Sequence, residues 1–249
     1  MATLRNVTTF IDELLKVEQF KDFAPNGLQV DGKEKLKKIV TGVSATQALI
    51  EAAIETQADM LLVHHGWFWK QENPCILGMK YRRLKLLMDN NISLLGYHLP
   101  LDAHPEFGNN AQLANRLAIY VEDVMDEQGV GNYGRLDEYI SLEKLGDRIE
   151  KSLSRKPLLI SGGDHAIKKV AWCTGGAQSR IDIAALKGVD AYISGEISEH
   201  TVHVARELGV HYIAAGHHAT ERYGVKALGE FVAAKFGLNC EFIDIDNPA

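Results

Sequence analysis

The stretch Met60-Leu61-Leu62-Val63-His64-His65-Gly66 does most to limit what this chain can become. An uninterrupted apolar run of strand length predicts a strand buried on both faces, and such strands belong to parallel sheets covered by helices. In open α/β sheets the reactive groups gather beyond the carboxyl ends of the strands, and this strand ends in two histidines and a glycine. Successive strand side chains point to opposite faces, but the backbone freedom of Gly66 lets both imidazoles turn toward one pocket or two neighbouring ions. Taken alone, the pair reads equally as a hydrogen-bonded structural feature and as a ligand pair.

The flanking pattern agrees with a parallel sheet. A strand at 39–43, a helix around 47–56, the opening strand, a helix from about 80 to 89 and a strand at 93–97 follow in alternation. Before them, Thr8 or Thr9 is the expected cap of a helix striped by Phe10, Ile11, Leu14 and Leu15, and Phe23-Ala24-Pro25-Asn26-Gly27 is an expected tight turn. Alternation resumes with a helix at 142–152, strands near 157–160, 170–174, 191–194, 211–214 and 240–245, and helices at 178–187, 198–208 and 221–236. Glu122 to Tyr139, acidic and glycine-spotted, is the least patterned stretch and the expected connection.

Lys38-Ile39-Val40-Thr41-Gly42 through Ala58-Asp59 resembles Lys169-Val170-Ala171 through Val189-Asp190, with His64-His65 falling against Gly195-Glu196 and Gly96-Tyr97-His98 near Gly216-His217-His218. The expected fold is therefore α/β, with two related α/β lobes, an internal duplication, and mixed sheets. The lobes are expected at 1–121 and 141–249, joined by 122–140 and free to intertwine, with a dinuclear metal site between them.

Composition closes off several classes. The 249 residues are 46% hydrophobic, enough for ample core, and carry 27 Lys and Arg against 33 Asp and Glu, a net charge of -6 that disfavours a nucleic-acid coat. Lys33 to Lys38 reads as a solvated edge. Cys75, Cys173 and Cys240 have no Cys-x-x-Cys spacing, so neither a disulfide framework nor a thiolate zinc cage is expected. The first ten residues lack a signal sequence's apolar core, and no apolar run reaches the roughly 18 residues of a membrane span. A soluble cytoplasmic protein with no membrane partner is the expectation.

Three predicted strand ends carry donor-capable residues: His64-His65-Gly66, His98-Leu99-Pro100-Leu101-Asp102 and Gly216-His217-His218-Ala219-Thr220-Glu221. Imidazole and carboxylate without thiolate suit zinc, manganese or iron. His217 and Glu221, four residues apart, share one face if a helix begins there. Glu196, His200 and His203 are spaced like an ordinary half-buried helical face. His218 and Glu196 are candidates for supporting contacts, and Trp67-Phe68-Trp69 reads as core or interface more readily than as a base-stacking surface.

Together with Ala24-Pro25-Asn26-Gly27-Leu28-Gln29-Val30, that ordered set resembles the Nif-three-like family, also labelled GTP cyclohydrolase I type 2, over nearly the whole chain, and in the compact type without an inserted domain. The resemblance implies two divalent metal ions per subunit, zinc, manganese or iron, liganded by His64, His65, Asp102, His217 and Glu221, in a ring-shaped homohexamer. It gives Glu221 a bridging, catalytic place and His98 either proton donation or the orientation of Asp102. The implied activity is hydrolysis, metal-bound hydroxide attacking a small, nucleotide-like molecule, as a GTP cyclohydrolase would. The alternatives are a metal-containing ring that binds a protein or nucleic-acid partner, and metal-linked oxidation without GTP cyclohydrolase activity.

Overall fold

The structure is a computed structural model that describes Ala2 to Ala249. Its contacts group into two compact units, Met1–Leu101 with Gly224–Asp246, and Asp102–Tyr223 with Asn247–Ala249. In chain order the first unit supplies α1 (Leu4–Leu15), β1 (Gly27–Val30), β2 (Lys38–Ser44), α2 (Gln47–Glu55), β3 (Met60–His65), α3 (Gly78–Asp89) and β4 (Ser93–Gly96). The short α4 (Leu99–Ala103) leads into the second unit, which holds α5 (Asn109–Leu117), β5 (Tyr120–Val124), β6 (Asn132–Ile140), α6 (Leu142–Leu153), β7 (Leu158–Ile160), β8 (Ile167–Cys173), α7 (Ile181–Leu186), β9 (Ala191–Ser194), α8 (Glu199–Leu208) and β10 (His211–Ala214). The long α9 (His217–Phe236) begins in the second unit and ends in the first, followed by β11 (Asn239–Phe242).

The first sheet has the order β1-β4-β3-β2-β11, with β2, β3, β4 and β11 parallel and β1 antiparallel at the edge. Val40, Leu61, Val63 and Leu94 pack there against Leu49, Ile50, Leu84 and Leu87, so the opening apolar run is interior strand, as its composition predicts. The second sheet runs β5-β6-β8-β9-β10-β7, parallel across β8, β9 and β10 and antiparallel outside them. Leu145, Ile149, Trp172, Ile193 and Ile213 form its core, and the Trp172 indole N–H donates to the Asn110 carbonyl.

Two local expectations change. Helix α1 starts earlier in the chain, because Thr3, not Thr8 or Thr9, caps it with a side-chain oxygen that accepts from the Asn6 amide. The buried stripe accordingly runs back through Val7 and Leu4. The segment expected as a loose connection is a hairpin: β5 and β6 pair antiparallel and extend the second sheet. All five residues of β5 are exposed, so no apolar alternation announced a strand. The division by contacts accordingly falls at Leu101/Asp102 rather than across 122–140, and 224–246 returns to the first unit because β11 pairs with β2.

The two units repeat one plan down to single hydrogen bonds. The Asp59 carboxylate accepts from the amides of Lys37 and Lys38, and the Asp190 carboxylate accepts from those of Lys168 and Lys169. The Asp59 amide donates to the Lys38 carbonyl and its carbonyl accepts from Ser93; Asp190 does the same with Lys169 and His211. Met60 pairs with Ser93 in β3–β4 as Ala191 pairs with His211 in β9–β10. This register equates His64-His65 with Gly195-Glu196, in agreement with the sequence repeat. It equates Gly96 with Ala214, however, so His98 corresponds to Gly216 and the third match is displaced by two residues.

Candidate metal centre

In the first unit the carboxyl end of β3 delivers His64, 1% exposed, and the half-buried His65. The His64 Nδ1–H donates to the Tyr97 carbonyl at 2.8 Å, and His65 Nδ1 shares a hydrogen bond with the Ser44 hydroxyl at 3.0 Å. The His98 Nδ1–H donates to Asp22 Oδ1 at 2.7 Å. Asp22 is itself pinned: Oδ2 accepts from the Leu99 amide and from Asn26 Nδ2, while Asn26 Oδ1 accepts from the His98 amide. The turn at Pro25-Asn26 is thus the brace that aims His98. Burial alone would raise the Asp22 pKa, but the hydrogen bond and charge of His98, with those from Asn26 and Leu99, hold it well below the usual carboxylate range. One ligand atom from each of His64, His65 and His98 can be chosen so that all three lie within 4.8 Å of one another.

The second unit gathers Asp102, His217 and Glu221 around Thr174-Gly175, the turn after β8. Asp102 Oδ1 accepts from Asn109 Nδ2 at 2.8 Å and from the Thr174 hydroxyl at 3.3 Å. His217 and Glu221 lie one turn apart at the start of α9, with His217 Nε2 at 3.2 Å from Glu221 Oε2. Its Nδ1–H donates to Glu196 Oε1 at 2.6 Å. Gly175 is where the backbone makes room: a Cβ there would sit 2.1 Å from Glu221 Oε1 and 3.1 Å from His217 Nε2. The Thr220 hydroxyl fastens this turn, accepting from the Gly175 amide and donating to the His217 carbonyl.

A single rule runs through both clusters. Each of the four histidines spends Nδ1 on the protein, and the three donors to carbonyl or carboxylate are thereby fixed as Nδ1–H tautomers when neutral. Nε2 is then the nitrogen a metal would take, and in His217 it faces Glu221 Oε2 at 3.2 Å. Metal-ligating histidines are commonly oriented this way by a carboxylate or carbonyl on the far nitrogen. Donor type, burial and the clearance at Gly175 therefore all fit a divalent cation.

Burial alone would lower the His217 pKa, but Glu221 and Glu196 outweigh it and raise it to about 9. Because the folded value lies above the ordinary histidine value of about 6.5, the protonated pair stabilises the metal-free fold fully below that pH and loses its contribution as pH rises through about 9. A metal needs the neutral imidazole, so its affinity should climb across the same window, by up to about tenfold per pH unit. Metal titrations from neutral to mildly alkaline pH read this directly; a flat profile would remove His217 from the ligand set.

All six residues singled out in the sequence thus fall into two clusters, His64, His65 and His98 in one unit and Asp102, His217 and Glu221 in the other. The aspartate that pairs with His98 is Asp22, while Asp102 is oriented by Asn109 and Thr174. Asp22, Ser44 and Thr174 escaped sequence reasoning. Asp22 is 76 positions from its histidine, and no spacing rule connects them, although the turn that follows it, Phe23 to Gly27, is legible as a turn. Glu196 does hold His217, and His203 pairs with Glu199 on the exposed face of α8. Trp67 is buried and donates to the Ala45 carbonyl, whereas Trp69 packs edge-on to the His98 ring with centroids 5.0 Å apart.

Comparison with known proteins is consistent across the length of the chain. The family model Duf34/NIF3 (NGG1p interacting factor 3) matches residues 2–248. A Pasteurella multocida protein named GTP cyclohydrolase 1 type 2 homolog is 57% identical over 244 residues, covering 96% of each chain. The solved structure of protein ybgI, described as of unknown function, superposes with a TM-score of 0.97 at 51% identity over 100% of both chains. That of TTHA1606 from Thermus thermophilus gives 0.92 at 33% identity, again over 100% of both.

Proposed function

The chain belongs to the Duf34/NIF3 family, and from that premise we propose that it is a hydrolase dependent on two divalent metal ions. The observation that carries this reading is the common orientation of four histidines, each held at Nδ1 so that Nε2 is the nitrogen a metal would take. The expected ligands are His64, His65, Asp102, His217 and Glu221, and the packing of His98 with the first two makes it a sixth donor or a proton carrier at the same place. Two such ions supply Lewis acidity and lower the pKa of a bound water. The chain's own part is orientation. Asn109 and Thr174 fix the Asp102 carboxylate, Glu196 fixes the His217 ring, and Asp22 fixes His98 with Nε2 able to give or take a proton.

The relatives' name supports a small, nucleotide-like substrate, and the net charge of -6 weighs against nucleic acid. The family resemblance supports a cytoplasmic, ring-shaped homohexamer; among the described residues no helix is long and apolar enough to cross a membrane. Elemental analysis of the purified protein should find about two ions per chain, and fewer than one would defeat the dinuclear reading. A screen of nucleotides and phosphoesters should then give turnover that depends on added metal and disappears in Asp102→Ala. Equal turnover by that variant would assign the activity to a contaminant.

A further inference from the structure

Beside the brace that aims His98, the first unit contains an open cleft of about 620 Å³, a size that suits a small organic ligand. One wall is Phe20 to Pro25 and the other is the segment after β3, with Phe68 and Lys70 facing the cleft. The walls are tied at two places. The Lys70 amide donates to the Phe23 carbonyl at 2.8 Å, and Gln29 bridges them, accepting from the Trp67 amide and donating to the Pro25 carbonyl. A Cβ on Gly66 would lie 2.2 Å from that glutamine side chain, so the bridge requires glycine there.

Phe68 has φ of +65°, a left-handed conformation that a phenylalanine adopts only when its surroundings impose it. Its amide donates to Glu72, and Lys80 lies over its ring with the ammonium 5.4 Å from the centroid. Strain of that kind is kept where a side chain must be displayed in one place.

The polar groups of the floor are already committed. Asp22 and Asn26 spend their oxygens and amide on each other and on the His98-Leu99 backbone and ring. What remains for a ligand is aromatic and aliphatic surface from Phe20, Phe68 and Pro25, and the cation of Lys70 at the rim. Lys80 pairs with Glu72, but Lys70 has no carboxylate partner among the described residues. The Phe68 ring already carries the Lys80 ammonium, so the cation left to meet a ligand is that of Lys70, which calls for an anion. We infer that it is a binding site for a flat-ringed anion, an aromatic ring joined to a phosphate or a carboxylate. Its floor includes Asp22 and Asn26, the two residues whose hydrogen bonds hold His98. Only the naming of this ligand as the substrate rests on the hydrolase reading; the binding itself does not.

The test is calorimetric or tryptophan-fluorescence titration of the purified full chain, without turnover. The probes are nucleoside monophosphates, the parent nucleosides, nicotinate as a ring carboxylate, and inorganic phosphate. Ring-anion probes should bind at least about tenfold more tightly than a nucleoside or phosphate alone, and the two ring-anion arms tell phosphate from carboxylate. Phe68→Asn, which keeps a residue tolerant of positive φ, and Lys70→Glu should each weaken binding about tenfold or more, with Phe68→Tyr restoring it. His217→Ala, in the other unit, should leave binding unchanged while depleting metal. No saturation below about 1 mM, binding of phosphate as tight as that of the nucleotide, or indifference to both cleft variants would overturn the inference. Loss of binding in His217→Ala would overturn it too, by moving the ligand to the metal cluster. Should Phe68→Asn fail to fold, the surface change Lys70→Glu alone decides.

Discussion

Glu221→Ala is expected to leave a folded protein that retains at most about one of the two metal ions proposed for it and has no metal-dependent turnover. Glu221 is 2% exposed, and its Oε2 faces His217 Nε2 at 3.2 Å. Its removal also withdraws the largest favourable influence on the His217 proton, so that histidine should titrate well below its present value of about 9. The helix start does not depend on Glu221, since Thr220 keeps its bonds to the Gly175 amide and the His217 carbonyl. Elemental analysis, circular dichroism and an NMR titration of His217 read the three consequences separately. Full metal content in the folded variant would show that Glu221 is not a ligand.

Gly175→Ala should produce a comparable loss without touching a donor atom. Gly175 has φ of +68°, where a side chain costs on the order of 1 to 2 kcal/mol, and its Cβ would lie 2.1 Å from Glu221 Oε1. The backbone is not free to yield, because the Gly175 carbonyl accepts from the amides of Ala177, Gly195 and Glu196 and from the Ser194 hydroxyl. The carboxylate must therefore swing away. We expect a fall in melting temperature of several degrees and metal affinity weakened at least about 10- to 100-fold, the range seen when ligand orientation is disturbed. A variant that melts early but binds metal normally would show that the turn matters to the fold alone.

The donor-capable residues were legible in the sequence because side chains at strand ends cluster locally: His64-His65 closes an apolar run, and His217 and Glu221 fall one helical turn apart. The partners that aim them were not, because hydrogen bonds from His98 to Asp22 or from Thr174 to Asp102 cross 76 and 72 positions of chain, and only folding brings such pairs together. The parallel strands were readable for the same local reason, each being an apolar run between turn residues. β5 was not, since a fully exposed edge strand is selected for pairing and solubility rather than for burial. The duplication was visible at Asp59 and Asp190, whose carboxylates staple the preceding strand in both units. It drifted by two residues at His98, where one third strand leads into the short α4 and the other into the long α9.

Those two aspartates precede β3 and β9, while His65 and Glu196 stand at or just beyond the opposite ends of the same strands. Each strand is thus a short ruler with a strand-stapling aspartate at one end and a donor-capable side chain at the other. In a saturation library scored twice, substitutions of Asp59 and Asp190 should deplete cellular protein, whereas those of His65 and Glu196 should leave abundance intact and deplete bound metal. Such a separation would let the donor-bearing ends be rebuilt while the far ends keep the scaffold in being.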